Sequence, residues 1–189
     1  MNCYDAADQF IQAVASSSPT PGGGAVAAHT GALGCALTCM AIATTLKKKD
    51  LSTEKRTRLE ENLAEFTALK ELFTELTRKD AMAYESFLAV KKMSKDAIAY
   101  PLELDDALCE SAQVPTTTAD TAQKALKELT KLRPDIAPII LSDAQCAYQL
   151  LITCVRLSVE NIRANVKYIQ NTDKKILFQQ KINEFLTIG

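Results

Sequence analysis

Pro19-Thr20-Pro21-Gly22-Gly23-Gly24 runs straight into a stretch of small residues, and no Asp, Glu, Lys or Arg occurs from Ser16 to Leu46. Pro19 and Pro21 fix φ and remove backbone donors, whereas Gly22, Gly23 and Gly24 permit positive φ and let another molecule approach the main chain without meeting a Cβ. A helix starting there leaves its first N–H groups without intrahelical partners, facing an anion or a polar heterocycle. A tight connector between two packed helices would carry the same residues, and the glycines alone do not separate the readings.

Asp80 raises a second chemical question. It falls on the apolar stripe formed by Leu59, Leu63, Phe66, Leu69, Phe73, Leu76, Tyr84 and Phe87. A carboxylate there costs several kcal/mol unless it is paired or hydrogen-bonded. It therefore needs either a structural partner or a chemical purpose. Further along, Asp143, Ala147, Leu150, Cys154, Leu157, Ser158, Asn161, Asn165 and Tyr168 share roughly one helical face, and that face carries more polar groups than a plain core needs. Lys47, Lys48 and Lys49 follow the uncharged stretch; they read equally as a solvated helix terminus or as an attractor for anions.

The elements that must position these groups are helical almost throughout. Phe10, Ile11 and Val14 define one side of a helix from about Tyr4 to Ala15, stopped by Ser16-Ser17-Ser18-Pro19. The next helix, about Gly24 to Lys48, has small residues on every side. That composition suits the axis of a bundle or a seam between two identical subunits. It is long enough for a membrane span, but its Ala, Gly, Ser and Thr content and lack of an aromatic belt argue against one. A third helix, capped by Ser52 or Thr53, is predicted to run to about Met93. The pattern breaks between Lys95 and Pro101. It resumes through Leu104 to Ala112, is interrupted at Pro115 and continues from Thr116 to Leu132. Ser142 reads as the N-cap of a long helix to about Ile169, with Asp143 in its first turn. A last helix from about Asp173 is expected to bury Ile176, Phe178, Ile182 and Phe185.

At 189 residues with net charge −1, the chain reads as a single domain over 1–189 with no global field to attract nucleic acid. Cys3, Cys35, Cys39, Cys109, Cys146 and Cys154 show no CxxC spacing, four of them lie inside apolar helical pattern, and they read as buried free thiols of a reducing cytosol. His29 is the sole histidine, so no metal site is implied. The start of the chain shows no secretory pattern, and the expected location is cytoplasmic.

Residues 19–28, the segment Asp80-Ala81-Met82-Ala83-Tyr84, Val114-Pro115, Ser142-Asp143 and Asn161-Ile162-Arg163-Ala164-Asn165-Val166 together resemble the cyclodeaminase and cyclohydrolase family. That family comprises the C-terminal half of formimidoyltransferase-cyclodeaminase and free-standing methenyltetrahydrofolate cyclohydrolases. The sequence departs from the family pattern at Ala25, at Leu46 and over 135–141. The resemblance implies an all-α, bundle-like domain that forms homodimers, and a reduced folate substrate handled without a cofactor. It implies conversion of 5-formiminotetrahydrofolate to 5,10-methenyltetrahydrofolate and ammonia. The alternatives are methenyl hydrolysis to 10-formyltetrahydrofolate and a non-catalytic folate-binding or dimerisation module. Within that frame, Asp80 and Asp143 are the proton-transfer candidates. Pro21, Gly22, Gly23, Gly24, Tyr84, Asn161 and Asn165 become candidate contacts to the folate ring or its one-carbon unit, and Lys47 and Lys48 to its glutamate carboxylates. No nucleic-acid or membrane partner is expected.

Overall fold

The computed structural model describes residues 2–187, with Cys3 described by its backbone alone. Six α-helices account for most of them: α1 (Cys3–Ala15), α2 (Gly23–Leu46), α3 (Thr53–Lys91), α4 (Tyr100–Leu132), α5 (Leu141–Val166) and α6 (Thr172–Leu186). Two short 3₁₀ turns, Arg133–Asp135 and Pro138–Ile140, join α4 to α5, and no strand occurs among the described residues.

Helices α2 to α5 pack in a closed ring, each against the next and α5 back against α2. Named contacts fix their directions. Gly24 of α2 meets Asp80 near the end of α3, and Gly31 meets Phe73 one helical stretch earlier. The Thr45 hydroxyl at the end of α2 accepts a hydrogen bond from the Ala137 N–H (3.0 Å) just before α5, while Gly23 faces Asn161 at the far end of α5. Neighbours therefore run antiparallel, giving an up-down-up-down four-helix bundle. Its core is built from the α3 stripe of Leu59, Phe66, Leu69, Phe73 and Leu76 together with Leu126 and Leu129 of α4 and Leu151, Val155 and Ile162 of α5.

The small residues of α2 let the bundle close tightly. A Cβ on Gly31 would lie 2.5 Å from the Phe73 ring, and one on Gly34 would lie 2.9 Å from Leu151. α2 is thus one of the four walls and not a central axis, and these glycines are spent on close packing within one chain. α2 and the segment 138–166 are each long and apolar enough to cross a membrane by length and composition; α2 packs against α3, α4 and α5.

Several boundaries differ from the sequence reading, each for a physical reason. Pro115 does not interrupt α4, which runs unbroken from Tyr100 to Leu132. Ser142 does not cap α5. The 3₁₀ turn at 138–140 leads directly into the helix, so Leu141 is its first residue and the Ser142 hydroxyl sits beside Asp143 instead (3.4 Å). Ile176 is half exposed on α6, whose buried face consists of Phe178, Ile182 and Phe185. Among the described cysteine side chains only Cys35 and Cys154 are buried; Cys39 and Cys109 are intermediate, Cys146 is exposed, and all five are free thiols.

α1 is capped at Asn2, whose side chain accepts from the Tyr4 and Asp5 N–H groups while Asp5 accepts from the Asn2 N–H. It lies outside the ring of four. Ile11 is 58% exposed although it belongs to the apolar side of the helix. The Phe10 ring stacks on His29 of α2 with centroids 4.4 Å apart and 29° between planes. That stack gives His29 a structural role as the aromatic shelf for α1, and burial lowers the pKa of its imidazole.

Candidate active site

At one end of the bundle, the start of α2, the last third of α3, the first half of α4 and the end of α5 converge on a cleft. The α2 helix begins at Gly23 after Gly22, which offers no side chain to cap it. Asp80 reaches across from α3 to that helix start. A Cβ on Gly24 would collide with the Asp80 carboxylate, and one on Gly23 would lie 3.2 Å from Asn161 Oδ1. No described residue, glycine included, has positive φ. The glycines are therefore not needed for left-handed backbone, as the sequence suggested; Gly24 is needed because any side chain would displace Asp80.

Two opposing influences act on Asp80. Burial pushes its carboxyl pKa above the ordinary carboxylate range, and a hydrogen bond from the Ala25 backbone N–H pulls it partly back. The result is a half-buried carboxyl whose proton is held more firmly than an exposed aspartate would hold it. Such a group is better suited to accept and return a proton than an exposed aspartate.

The α4 wall depends on Pro115. Proline lacks an N–H, so in an unbroken helix the carbonyl four residues earlier, that of Ser111, loses its partner. Asn165 of α5 replaces it: its Nδ2 donates to the Ser111 carbonyl at 3.0 Å and also to the Asn161 carbonyl at 3.1 Å. Asn161 donates in turn to the Leu157 carbonyl (2.8 Å), leaving its Oδ1 against Gly23. Asn165 thus stands at the cleft with its amide donating to two protein carbonyls, and Asn161 with its amide donating to one.

Gly22, Gly23, Gly24, Asp80, Tyr84, Asn161 and Asn165 all line this cleft, as the sequence reading grouped them. Pro21 does not; Pro19 and Thr20 supply the loop's contribution. Asp143, Lys47 and Lys48 are not brought to it either. Asp143 stands in the first turn of α5, about 27 Å along the helix axis from Asn161. Lys47 and Lys48 follow α2, roughly 35 Å from its glycine start, and Lys48 borders a separate depression with Asp50, Lys55 and Asp135. Helical periodicity places residues on a face but does not distinguish its two ends, so Asp143 and Asn161 looked like neighbours in sequence terms. Ser111 lines the cleft and was missed. A single serine beside a proline in an amphipathic helix carries no pattern that would single it out.

The cleft has a volume of about 170 Å³. Pockets that enclose a drug-sized ligand run to about 300–1,000 Å³, so this one has room for one end of such a molecule. Among the described residues no three His, Cys, Asp or Glu side chains gather in a metal-binding group.

Fold and cleft together define an all-α bundle protein with a carboxyl-bearing polar cleft at one end. The chain belongs to the formiminotransferase-cyclodeaminase family, which it matches over residues 6–184. It is 29% identical over 181 residues to formimidoyltransferase-cyclodeaminase of Sus scrofa, a match that covers 94% of this chain and 33% of that protein. The chain therefore spans about a third of that relative's length. It is also 25% identical over 182 residues to methenyltetrahydrofolate cyclohydrolase of Methylorubrum extorquens, covering 94% of this chain and 85% of the relative. The crystal structure of formiminotetrahydrofolate cyclodeaminase from Thermotoga maritima superposes with a TM-score of 0.85 at 26% identity, over 99% of this chain and 89% of that one.

Proposed function

We propose that this protein is a folate one-carbon enzyme that converts 5-formiminotetrahydrofolate to 5,10-methenyltetrahydrofolate and ammonia. The observation that carries the reading is Asp80: a carboxyl of raised pKa, held against the bare start of α2 in a cleft that admits one end of a large polar ligand.

Because Asp143 lies at the other end of α5, the chemistry must be arranged around one carboxyl. In the protonated formimino substrate, N10 attacks the one-carbon unit on N5 and forms a tetrahedral carbon bearing both nitrogens and an amino group. The Asp80 carboxylate takes the proton from N10 and returns it to the amino group. That group departs as ammonia while the N10 lone pair closes the methenyl cation. One proton moves from N10 to the leaving nitrogen, so Asp80 ends as it began. Holding N10 against the carbon turns an encounter into a positioned intramolecular attack, which contributes much of the acceleration. The absence of a side chain at Gly24 lets the Asp80 carboxyl approach the start of α2, and Tyr84 adds an amphipathic ring to the wall.

A second reading is favoured by the free-standing cyclohydrolase relative, 85% of whose length is matched. There, water adds to the methenyl carbon and Asp80 accepts one of its protons; the C–N5 bond then breaks as N5 takes that proton, and the remaining hydroxyl proton leaves to solvent as the 10-formyl carbonyl forms. In both reactions a heteroatom on the same tetrahedral carbon exchanges a proton beside Asp80.

The active form is a homodimer. Support comes from α2, which carries no charged residue and presents Leu33 (48% exposed) and Met40 (41% exposed) to solvent on one face, and from the small volume of the cleft within one chain.

Purified protein mixed with 5-formiminotetrahydrofolate should develop the near-ultraviolet absorbance of the methenyl product in step with released ammonia. Loss of added methenyltetrahydrofolate without any ammonia-forming activity selects the second reading. A folded protein inert toward both compounds overturns the enzymatic proposal.

A further inference from the structure

Asn161 and Asn165 line the cleft, and the mechanism above leaves them unused. Their partners decide which way each amide is turned. A carbonyl oxygen only accepts, so the atom that meets the Leu157 carbonyl at 2.8 Å must be the Asn161 nitrogen. The Asn165 nitrogen is fixed in the same way by the Ser111 and Asn161 carbonyls. Neither side-chain oxygen accepts a hydrogen bond from a described residue, and neither is sealed in. Among the described side chains, the polar atoms both unpartnered and closed to solvent are Ser111 Oγ and Ser158 Oγ alone. The two amide oxygens are thus unspent acceptors that keep open surface on half-buried residues of the cleft wall.

The surroundings reinforce that character. Among the described residues the lining holds no Lys, Arg or His, and Asp80 is its charged member. Asn161 Oδ1 and the Asp80 carboxyl flank consecutive residues of α2: a Cβ on Gly23 would lie 3.2 Å from the first, and one on Gly24 would collide with the second. The hydroxyls of Thr20 and Tyr84 can donate or accept and impose no preference. This end of α2 therefore gathers fixed oxygen acceptors beside a carboxyl. The arrangement is complementary to a cationic nitrogen bearing N–H donors and opposed to an oxygen bearing lone pairs.

We propose that the Asn161 and Asn165 side-chain oxygens set the specificity of the cleft by accepting hydrogen bonds from the nitrogen that leaves as ammonia. This rests on the ammonia-forming reading of the cleft. In the protonated formimino group that nitrogen carries two N–H donors and no free lone pair. As the amino group of the tetrahedral carbon it keeps both donors, and it gains a third on receiving the N10 proton from Asp80. The asparagines thus meet donors at every stage and undergo no net proton change. A formyl group on N5 would put a carbonyl oxygen in the same place, lone pair facing lone pair. A site that hydrogen-bonds one substrate group rejects an analogue unable to complete those bonds, because its own polar groups are left unpaired.

The test compares Asn161→Leu with Asn161→Asp. Both replacements are close to asparagine in shape and both remove the bond to the Leu157 carbonyl, but only the second keeps oxygen at the cleft. For each protein, kcat/KM on 5-formiminotetrahydrofolate is set against the inhibition constant of 5-formyltetrahydrofolate. Asn161→Leu should lose about tenfold or more in kcat/KM while binding the formyl compound as well as wild type or better. Asn161→Asp, with a carboxylate facing the formyl oxygen, should bind that compound more weakly than wild type. A residue of structural importance alone would weaken both compounds alike in both variants, and that result overturns the proposal. So does an unchanged kcat/KM in Asn161→Leu. If Asn161→Leu does not fold, the formyl affinity of Asn161→Asp decides: weaker binding upholds the contact and equal binding overturns it. If the wild-type protein turns over no formimino substrate, calorimetry with the two compounds separates the claims. A preference for the formimino compound that Asn161→Leu loses upholds the recognition while the reaction is abandoned; equal binding of the two, or none, removes both.

Discussion

Asp80 concentrates in one residue the conflict between stability and chemistry. Its raised pKa means that the folded protein holds the proton more firmly than the unfolded chain does. The stability linked to that protonation is fully present below the ordinary aspartate value of about 3.8 and is lost as the pH rises through the higher folded value. Once charged, the carboxylate is therefore a liability to the fold. Asp80→Asn keeps an oxygen to accept from the Ala25 N–H but cannot titrate. The variant should lose turnover by about 10² or more, while its unfolding midpoint relative to wild type improves as the pH is raised from 4 toward 7. Thermal melts across that range, paired with rates, check both halves, and a variant of near-normal turnover would remove Asp80 from the mechanism. Asp80 was legible in the sequence because a charge on an apolar stripe breaks a pattern. Ser111 was not, since a serine breaks none, and what sets it apart is a carbonyl stranded by Pro115 and taken up by Asn165.

At the scale of elements, α4 shows why a local rule failed. Proline in a helix interior typically costs about 3 kcal/mol through the lost hydrogen bond and ring clash, and from sequence that predicts a break. The helix continues because Asn165, contributed by another helix, satisfies the stranded carbonyl. Compensation across more than fifty residues of chain has no signature in a local pattern. The compensation can be measured. Asn165→Ala should destabilise the protein by about 1–3 kcal/mol, as expected when a buried carbonyl is orphaned. In a Pro115→Ala background the helix regains its own N–H donor, and the same substitution should cost about 1 kcal/mol less. Denaturant unfolding of the four proteins gives the coupling directly; additivity within about 0.3–0.5 kcal/mol would show that the two residues act independently. The long periodic stripe of α3, by contrast, was read to within two residues of its observed end, because burial on one face leaves a repeating mark on sequence.

For the whole molecule, the helical bundle was foreshadowed by periodicity, but the separation of its two ends was not. Asp143 shares α5 with cleft residues, and Lys47 and Lys48 directly follow α2, yet all three lie far from the cleft, because position along a helix, unlike position around it, acquires meaning only when the direction of each neighbour is known. The same limit applies to assembly. Gly31 and Gly34 belong to the small residues of α2 that suited either a bundle interior or a seam between subunits, and they are met by Phe73 and Leu151 of the same chain. What remains for a partner is the outer face of α2, where Val26, Leu33 and Met40 recur at intervals of seven residues with no charge between them. Such a stripe on an otherwise mixed-charge surface is suited to burial against its own copy, as in a two-fold interface. Sedimentation velocity at micromolar concentration should give twice the mass of one chain. Leu33→Glu places a charge at the centre of the stripe, where burying it unpaired is strongly unfavourable; that variant should sediment as a monomer while retaining its helical circular dichroism. A wild-type protein that remains monomeric throughout would refute the dimer and leave the cleft to bind the whole ligand from a single chain.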